Sequence, residues 1–357
     1  MRNSWNEVLC ESEDNTVFLT WEKMASSVLN FDQDKTLNVL CATKDDKLVG
    51  IAPLRRSRRN INNILKYTVI EPLAEGNTDY SGLILAENEA ECLQIFLTHL
   101  FDQKDWDLIY LSQVPQMSLL FDLLIKHRCL LPKFKLEEAA ICPYIPIPST
   151  VDELMKGLSS NFRRNLKKRM RKLEKDHGKV ELKKYYELGS LDDTMQIFFN
   201  LHQKRWVSKG ERGVFSQQAV RDTFLTKAKL FAEKGWFSLY FLMVNGKPVA
   251  AKYCFKYKRK LYGSLSGFDP VYSAYGVGNL LMLKVLERCV KKGIREYDFM
   301  QGDESYKFNW TNKYRRNWNI IFVNKKLTSM LVRALIATAK KIKLDKLLDN
   351  TMLSYKL

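Results

Sequence analysis

Residues 257–310, YKRKLYGSLSGFDPVYSAYGVGNLLMLKVLERCVKKGIREYDFMQGDESYKFNW, read as strand, turn, helix, strand and a polar-aromatic tail. Leu261 to Phe268 is apolar and aromatic but interrupted by Gly263 and Gly267. Glycine inside a strand marks a bulge or a close backbone approach, and such a strand can expose backbone N–H groups. Asp269-Pro270 ends it. Tyr275-Gly276-Val277-Gly278-Asn279 then opens a helix whose apolar stripe is Leu280, Leu281, Leu283, Val285 and Leu286, closed at Gly293. A helix N-terminus presents unpaired N–H groups and a positive dipole end, so two glycines there let a pyrophosphate come close to the backbone. A second strand, Arg295 to Met300, leads into the tail from Gly302 to Trp310.

Upstream, the same outline occurs twice. Leu37 to Leu54 is strand, acidic turn, strand; Trp236 to Phe255 has that outline around an Asn-Gly turn, a strong hairpin signal. Each second strand opens with Lys, one residue and Val, at Lys47 and Lys247. A helix near Ala90 to Phe101 leads to Trp106–Leu111, just as the helix after Gly278 leads to Glu296–Phe299. A duplication follows, giving two α/β domains. Residues 1–142 are read as the first domain and the proline-rich stretch 143–149 as a stiff linker or edge strand. Residues 150–324 are read as the second domain and 325–357 as a basic amphipathic C-terminal helix. In the second domain Thr150–Glu153 is a capping box, and Ser159 caps a helix running to Asp176. Further helices are expected over Asp192–Val207 and Gln217–Lys234, the last capped by Ser216.

A chain of 357 residues suits two cores. No apolar leader and no bilayer-length run is read, so the expected location is the cytoplasm, with contact at the inner face of a membrane as an option. Seven cysteines with no CxxC pair read as reduced thiols, and the four histidines lack metal-ligand spacing, so no metal is expected. The net charge of +18 is concentrated. Arg163–Lys184 holds eleven Lys/Arg against three acids, and Lys313–Lys346 ten against one. Such clustering implies an anionic partner, against the alternative of solvated helix faces.

The tandem outline, the basic helix SSNFRRNLKKRMRKLEKDHGKV, LHQKRWVSKG at 201–210, the FDP loop at 268–270, the tail GDESYKFNW and Asp79-Tyr80 after Gly76 resemble the CelD/FemAB-related branch of the GNAT acyltransferases. The resemblance implies two tandem GNAT-like domains, each a mixed sheet flanked by helices, sharing a cleft. It implies transfer of an acyl group, in the first instance acetyl from acetyl-CoA, to an amine or hydroxyl of a cell-envelope or polysaccharide precursor. Some FemAB-type relatives take an aminoacyl group from tRNA instead. The GNAT phosphate loop carries Arg or Gln three residues before its first glycine; Ser273 stands at the corresponding place here, so the glycines match and the cation does not. A non-catalytic protein binding nucleic acid or a membrane surface is the reading from another class.

The chemistry needs a base for the incoming amine or hydroxyl, donors for the carbonyl oxygen, and protonation of the leaving group. No GxSxG or Cys–His nucleophile motif occurs, which favours direct transfer. Backbone N–H groups of Gly263–Gly267 are candidates for the carbonyl. Asp269 and Asp298 are candidate bases, and Tyr306 with Lys307 a candidate proton donor or anion clamp. Tyr275, Gly276, Val277, Gly278 and Asn279 are assigned to the acyl-CoA donor. Arg163, Arg164, Arg205, Trp206, Asp79 and Tyr80 are assigned to an anionic, phosphorylated or lipid-linked acceptor. The apolar and basic alternation of 325–357 suits an anionic membrane surface, or else packing on the second domain.

Overall fold

The computed structural model describes residues 1–29, 34–61, 65–76, 78–129 and 131–341. In chain order the elements are α1 (Arg2–Glu11), α2 (Trp21–Val28), β1 (Lys35–Lys44), β2 (Lys47–Ile61), β3 (Leu65–Pro72), β4 (Ile84–Leu85), α3 (Glu89–Asp102), β5 (Leu108–Pro115), α4 (Leu119–Lys126) and β6 (Phe134–Pro146). They continue with α5 (Val151–Lys156), α6 (Ser160–His177), β7 (Val180–Lys184), α7 (Leu191–Val207), α8 (Gln218–Glu233), β8 (Phe237–Val244), β9 (Lys247–Tyr257), β10 (Lys260–Phe268), α9 (Val277–Lys291), β11 (Glu296–Asp298) and α10 (Ser305–Phe308). β12 (Tyr314–Val323) and α11 (Leu327–Lys341) end the described chain; the rest of the expected C-terminal helix, 342–357, lies outside the described residues.

Two compact units result, Met1–Ala140 with Arg315–Leu357, and Ile141–Tyr314. In the first, β1, β2 and β3 run antiparallel in turn, β3 pairs β5 in parallel, and β12 pairs β5 antiparallel. In the second, β7, β8, β9 and β10 run antiparallel in turn, β10 pairs β11 in parallel, and β6 pairs β11 antiparallel. The parallel pair in each unit is bridged by one long helix, α3 or α9. Both units therefore contain antiparallel, antiparallel, helical crossover and parallel pairing in the same order, which is what the sequence repeat predicts.

The sequence-based boundaries need revision at three places. Pro143–Pro146 is part of β6 rather than a linker, with Tyr144 opposite Asp298 and the Pro143 carbonyl accepting from the Phe299 N–H. β12 joins the first unit, because Asn317–Val323 pairs with Pro115–Leu108 and Phe322 packs on Phe101 and Phe134. α11 packs on the first unit, with Val332 buried among Ile61, Tyr67, Val69 and Leu108.

The local signals act as expected in most places. Thr150 and Glu153 make the reciprocal capping box of α5, and Ser159 caps α6 through the Phe162 N–H. Ser216 does not cap α8: its hydroxyl donates to the Gly213 carbonyl, and Gln217 stands at the cap without a side-chain bond. The strand expected over Arg295–Met300 is shorter because Met300 takes a positive φ of 62° and turns the chain out of the sheet. The second unit buries one face of its sheet under α6 and α9 through Leu166, Leu173, Leu280 and Val285. Its other face lies under α7 and α8, where Phe198 and Phe224 pack on Tyr253 and Phe215 packs on both phenylalanines.

Candidate active site

The second unit contains a break in its own sheet. β10 pairs with β11 only from Lys260↔Glu296 to Tyr262↔Asp298, yet β10 continues to Phe268. Against β9 its register shifts between Gly263 and Ser266. Both strand glycines are dictated by close approach. A Cβ on Gly263 would collide with the Tyr297 hydroxyl and lie 3.0 Å from Lys252 Cε; one on Gly267 would strike the backbone of α7 at Leu201–His202. A bulge at the point where two strands part re-aims backbone groups into the opening.

Lys252, which the sequence reading passed over, sits in β9 directly across from Ser266. It is 5 % exposed, and burial pushes its amine down to about 8, with the Lys307 and Arg205 charges acting in the same direction and Cys254 and Glu304 opposing. Arg205 reaches over from α7, where Nη1 donates to both the carbonyl and the hydroxyl of Ser266 at 3.1 Å and the guanidinium lies 5.3 Å from the centre of the Phe268 ring. Its Nε is buried with no hydrogen-bond partner. Tyr306 is within electrostatic reach of Arg205 and Glu304; burial of its hydroxyl lifts the phenol to about 12, although the residue as a whole is 37 % exposed. Lys252, Arg205, Glu304, Tyr306 and Lys307 thus form one charged group beside the bulge of β10.

The glycine-bearing turn expected ahead of α9 is present. Asp269 caps the 3-10 turn Pro270–Tyr275, and Gly276 follows in the left-handed region at φ 63° as the N-cap of α9. A Cβ at Gly276 would collide with the Arg169 guanidinium from α6. A guanidinium from another helix thus lies beside the loop that has Ser273 in place of a cation, a neighbour the sequence reading did not anticipate. Gly278 differs from Gly276, since a Cβ there would meet nothing within 4 Å. Together with an α9 first turn free of acids, that open space beside orphan N–H groups suits a phosphate of an acyl carrier. Tyr275 fastens the loop: its hydroxyl donates to Asp176 at 2.9 Å and lies 3.1 Å from His177 Nε2. The Val277 side chain is in the core and the Asn279 N–H bonds the Gly276 carbonyl, so Val277 can offer a ligand only its backbone.

The other expected residues divide by what they touch. Lys307 is 3 % exposed, and its ammonium donates to the carbonyls of Gln301 at 2.7 Å and of Met300 and Gly302 at 3.4 Å while pairing with Glu304 at 2.8 Å. It organises the turn after β11. Asp298 is buried and accepts the Met300 N–H at 2.7 Å, holding the same turn. Asp269 is spent on capping and on Lys204 at 2.7 Å; burial opposes its charge, but Lys204 and the Val271 N–H prevail and keep the carboxyl below its ordinary range, which makes it a poor base. Trp206 gives its indole N–H to His202, whose imidazole burial lowers to about 4 and so keeps neutral. Arg163, half-buried, donates to the Met155 carbonyl at 3.2 Å, and Arg164, exposed on α6, donates to Asn161 at 3.1 Å. Asp79 and Tyr80 belong to the first unit, where the Asp79 carbonyl accepts from Asn317 and the buried Tyr80 ring packs edge-on to Phe18 at 5.0 Å.

Residues 160–308, the segment carrying every element of this site from α6 to α10, match the profile of the acetyltransferase (GNAT) domain. They are a GNAT domain, of the kind found in acyltransferases. No curated protein matches the chain in sequence. Among solved structures the fold is similar to FemX, with a TM-score of 0.68 and 10 % identity over 94 % of this chain and 98 % of that one. It is also similar to a conserved protein of unknown function from Bacteroides thetaiotaomicron, at TM-score 0.57 and 11 % identity over 90 % and 96 % of the two chains. L-PGS from Bacillus licheniformis follows at TM-score 0.54 and 10 % identity over 96 % and 97 %. At such identities these likenesses speak for the fold, and they do so over both units of this GNAT-domain protein. No helix among the described residues is long and apolar enough to cross a membrane.

Proposed function

We propose that this GNAT domain transfers an acyl group, acetyl in the simplest case, from acyl-coenzyme A to an amine or hydroxyl of an anionic cell-envelope or polysaccharide precursor. The observation that carries the reading is the parting of β10 from β11 beside a glycine bulge, aligned in sequence with a helix N-terminus that has open space at Gly278 and a guanidinium at Gly276. The donor's phosphates would lie on the first turn of α9 and on Arg169, and its thioester beside the bulge. Lys252, neutral above pH about 8, takes the proton of the acceptor as its nitrogen or oxygen bonds to the thioester carbon. Backbone N–H groups at Gly263–Ser266 hold the oxygen as charge develops. The C–S bond then breaks, and the Tyr306 phenol, protonated at neutral pH, gives its proton to the departing thiolate. Lys307, Asp298 and Glu304 fix the turn that carries Tyr306 rather than reacting themselves.

One observation favours a second donor. Arg163, Arg164, Lys167, Lys168 and Arg171 line one side of α6, and no acid occurs between Ser160 and Leu173. A row of exposed cations of this kind suits a polynucleotide backbone, and with it an aminoacyl-tRNA donor. Calorimetric titration of the full chain with acetyl-CoA, a longer acyl-CoA and an aminoacyl-tRNA separates the two. Binding of an acyl-CoA that Gly278→Val weakens supports the first reading. Binding of the tRNA alone, weakened by Arg164→Ala with Lys168→Ala, selects the second, and no binding of any of them overturns both.

A further inference from the structure

The last of the described helices has two apolar faces, and among the described residues only one of them is packed. Ser329 and Val332 are fully buried and Ile336 is half-buried on the first unit, while the hydroxyls of Thr328 and Ser329 donate to Asp107 at 3.1 and 2.8 Å. These contacts fix how α11 is rotated. At 100° per residue, Leu327, Met330, Leu331, Ala334, Leu335 and Thr338 then fall on the opposite side. That side faces solvent: Leu327 is 81 % exposed, Leu331 58 %, Met330 53 % and Leu335 45 %. No charged residue interrupts the ridge between Leu327 and Thr338, and Lys326 and Arg333 lie along one edge of it. From Lys313 to Leu344 the sequence has no acid at all; in Lys313–Lys346 the sole acid is Asp345 against ten Lys/Arg.

We infer that α11 docks the first unit on an anionic lipid surface, with Leu327, Leu331 and Leu335 entering the acyl region and the flanking cations meeting phosphate headgroups. The occupant follows from the chemistry of the patch. An apolar ridge with a basic edge is what a helix lying in the bilayer interface presents, and a partner made only of apolar side chains would leave Arg333 unanswered. A bare terminal helix would carry polar residues on its solvent side, and this one carries four large apolar ones. The inference rests on the first unit and is independent of the donor reading for the second.

Substitution is the proper test, because truncation would uncover Ile61, Tyr67, Val69 and Leu108. The full chain is floated with phosphatidylcholine vesicles and with vesicles containing one-third phosphatidylglycerol. The expected result is flotation with the anionic vesicles only, reduced at least tenfold by Leu327→Gln, Leu331→Gln and Leu335→Gln together, with melting temperature unchanged. Lys326→Gln with Arg333→Gln should lower the salt concentration at which the protein is released. The inference is overturned if the intact chain does not float, or if the triple leucine variant floats like it. Self-association in sedimentation that the triple variant abolishes, without flotation of the parent chain, would reassign the ridge to a contact between copies and overturn it as well.

Discussion

The two units repeat one strand order and differ in what they bury at the same place. In the first, β3 pairs with β2 in unbroken register from Leu65 to Pro72, and the strands enclose an ion network. Glu71 accepts from Arg55 at 2.9 Å and Ser57 at 2.6 Å and pairs with Arg59, while Ser112 donates to Glu75. In the second, the matching strand β10 is broken at Gly263–Ser266, and beside the break lies an amine with its charge opposed by burial. The crossover helices differ in the same sense. α3 starts at Asn88 with Glu89 and Glu91 in its first turn; α9 starts at Gly276 with no acid there and Arg169 alongside. A phosphate would be repelled at the first helix and held at the second. Of two units with one strand order, one is thus continuous and charge-paired at this place, and the other, on the proposed function, is open for chemistry.

Removing the buried amine should have the largest effect. Lys252→Met keeps the length of the side chain and relieves a buried charge, so the fold should be kept while kcat/KM falls by roughly 10²–10⁴-fold. In the parent enzyme kcat/KM should rise with pH up to about 8 and level off, since only the neutral amine accepts a proton. The methionine variant should lose that rise. A methionine variant with the parent's pH profile would show that another group titrates.

Making α9 resemble α3 should come next. Asn279→Glu puts a carboxylate into the first turn of α9, where the helix dipole favours it by about 0.3–1 kcal/mol. Donor binding should nevertheless weaken by about tenfold or more, as the added charge faces the phosphate. Arg169→Ala should raise the donor dissociation constant by a similar or smaller factor, about tenfold for one charge-assisted hydrogen bond, without moving the melting temperature. A lower melting temperature with unaltered donor affinity in both variants would return the loop to a purely structural role.

These residues also show how far the sequence could be read. The repeated hairpins, the capping box at Thr150–Glu153 and the helix opening at Gly276 depend on neighbours a few residues apart, and all are visible in the string. Lys252 was readable too: β9 is buried on both faces around it, at Ala250, Ala251, Tyr253 and Cys254, so a lysine there lies inside whichever way it points. Arg169 carried a weaker signal, lying one turn from Leu166 and Leu173 at the margin of the packed stripe of α6. That it stops at Gly276 depends on how α6 meets the loop. The strand from Tyr314 to Val323 could not be assigned locally, because its partner β5 lies some two hundred residues earlier. Lys307 misled for a related reason: a lysine in a polar tail looks free until the carbonyls of Met300, Gln301 and Gly302 close around it.

The smallest effect on acyl transfer should come from the closed copy, where the comparison predicts a change in stability alone. Burial, with the nearby Glu71 charge in support, raises the Glu75 carboxyl from 4.5 to about 7. Between those values the folded chain keeps a proton that the unfolded chain has lost. The neutral carboxyl therefore contributes fully below pH about 4.5, and its contribution falls as pH rises to about 7, by at most about 3 kcal/mol. Glu75→Gln, which mimics the neutral acid and can still accept from Ser112, should remove this decline while leaving kcat/KM within about twofold of the parent. Melting temperatures of both proteins from pH 5 to 8 measure it directly. Parallel curves would mean that Glu75 is ionised in the folded protein and that Arg55 and Arg59 serve both carboxylates, so that the first unit is closed by a shared ion cluster rather than by one charged and one neutral acid.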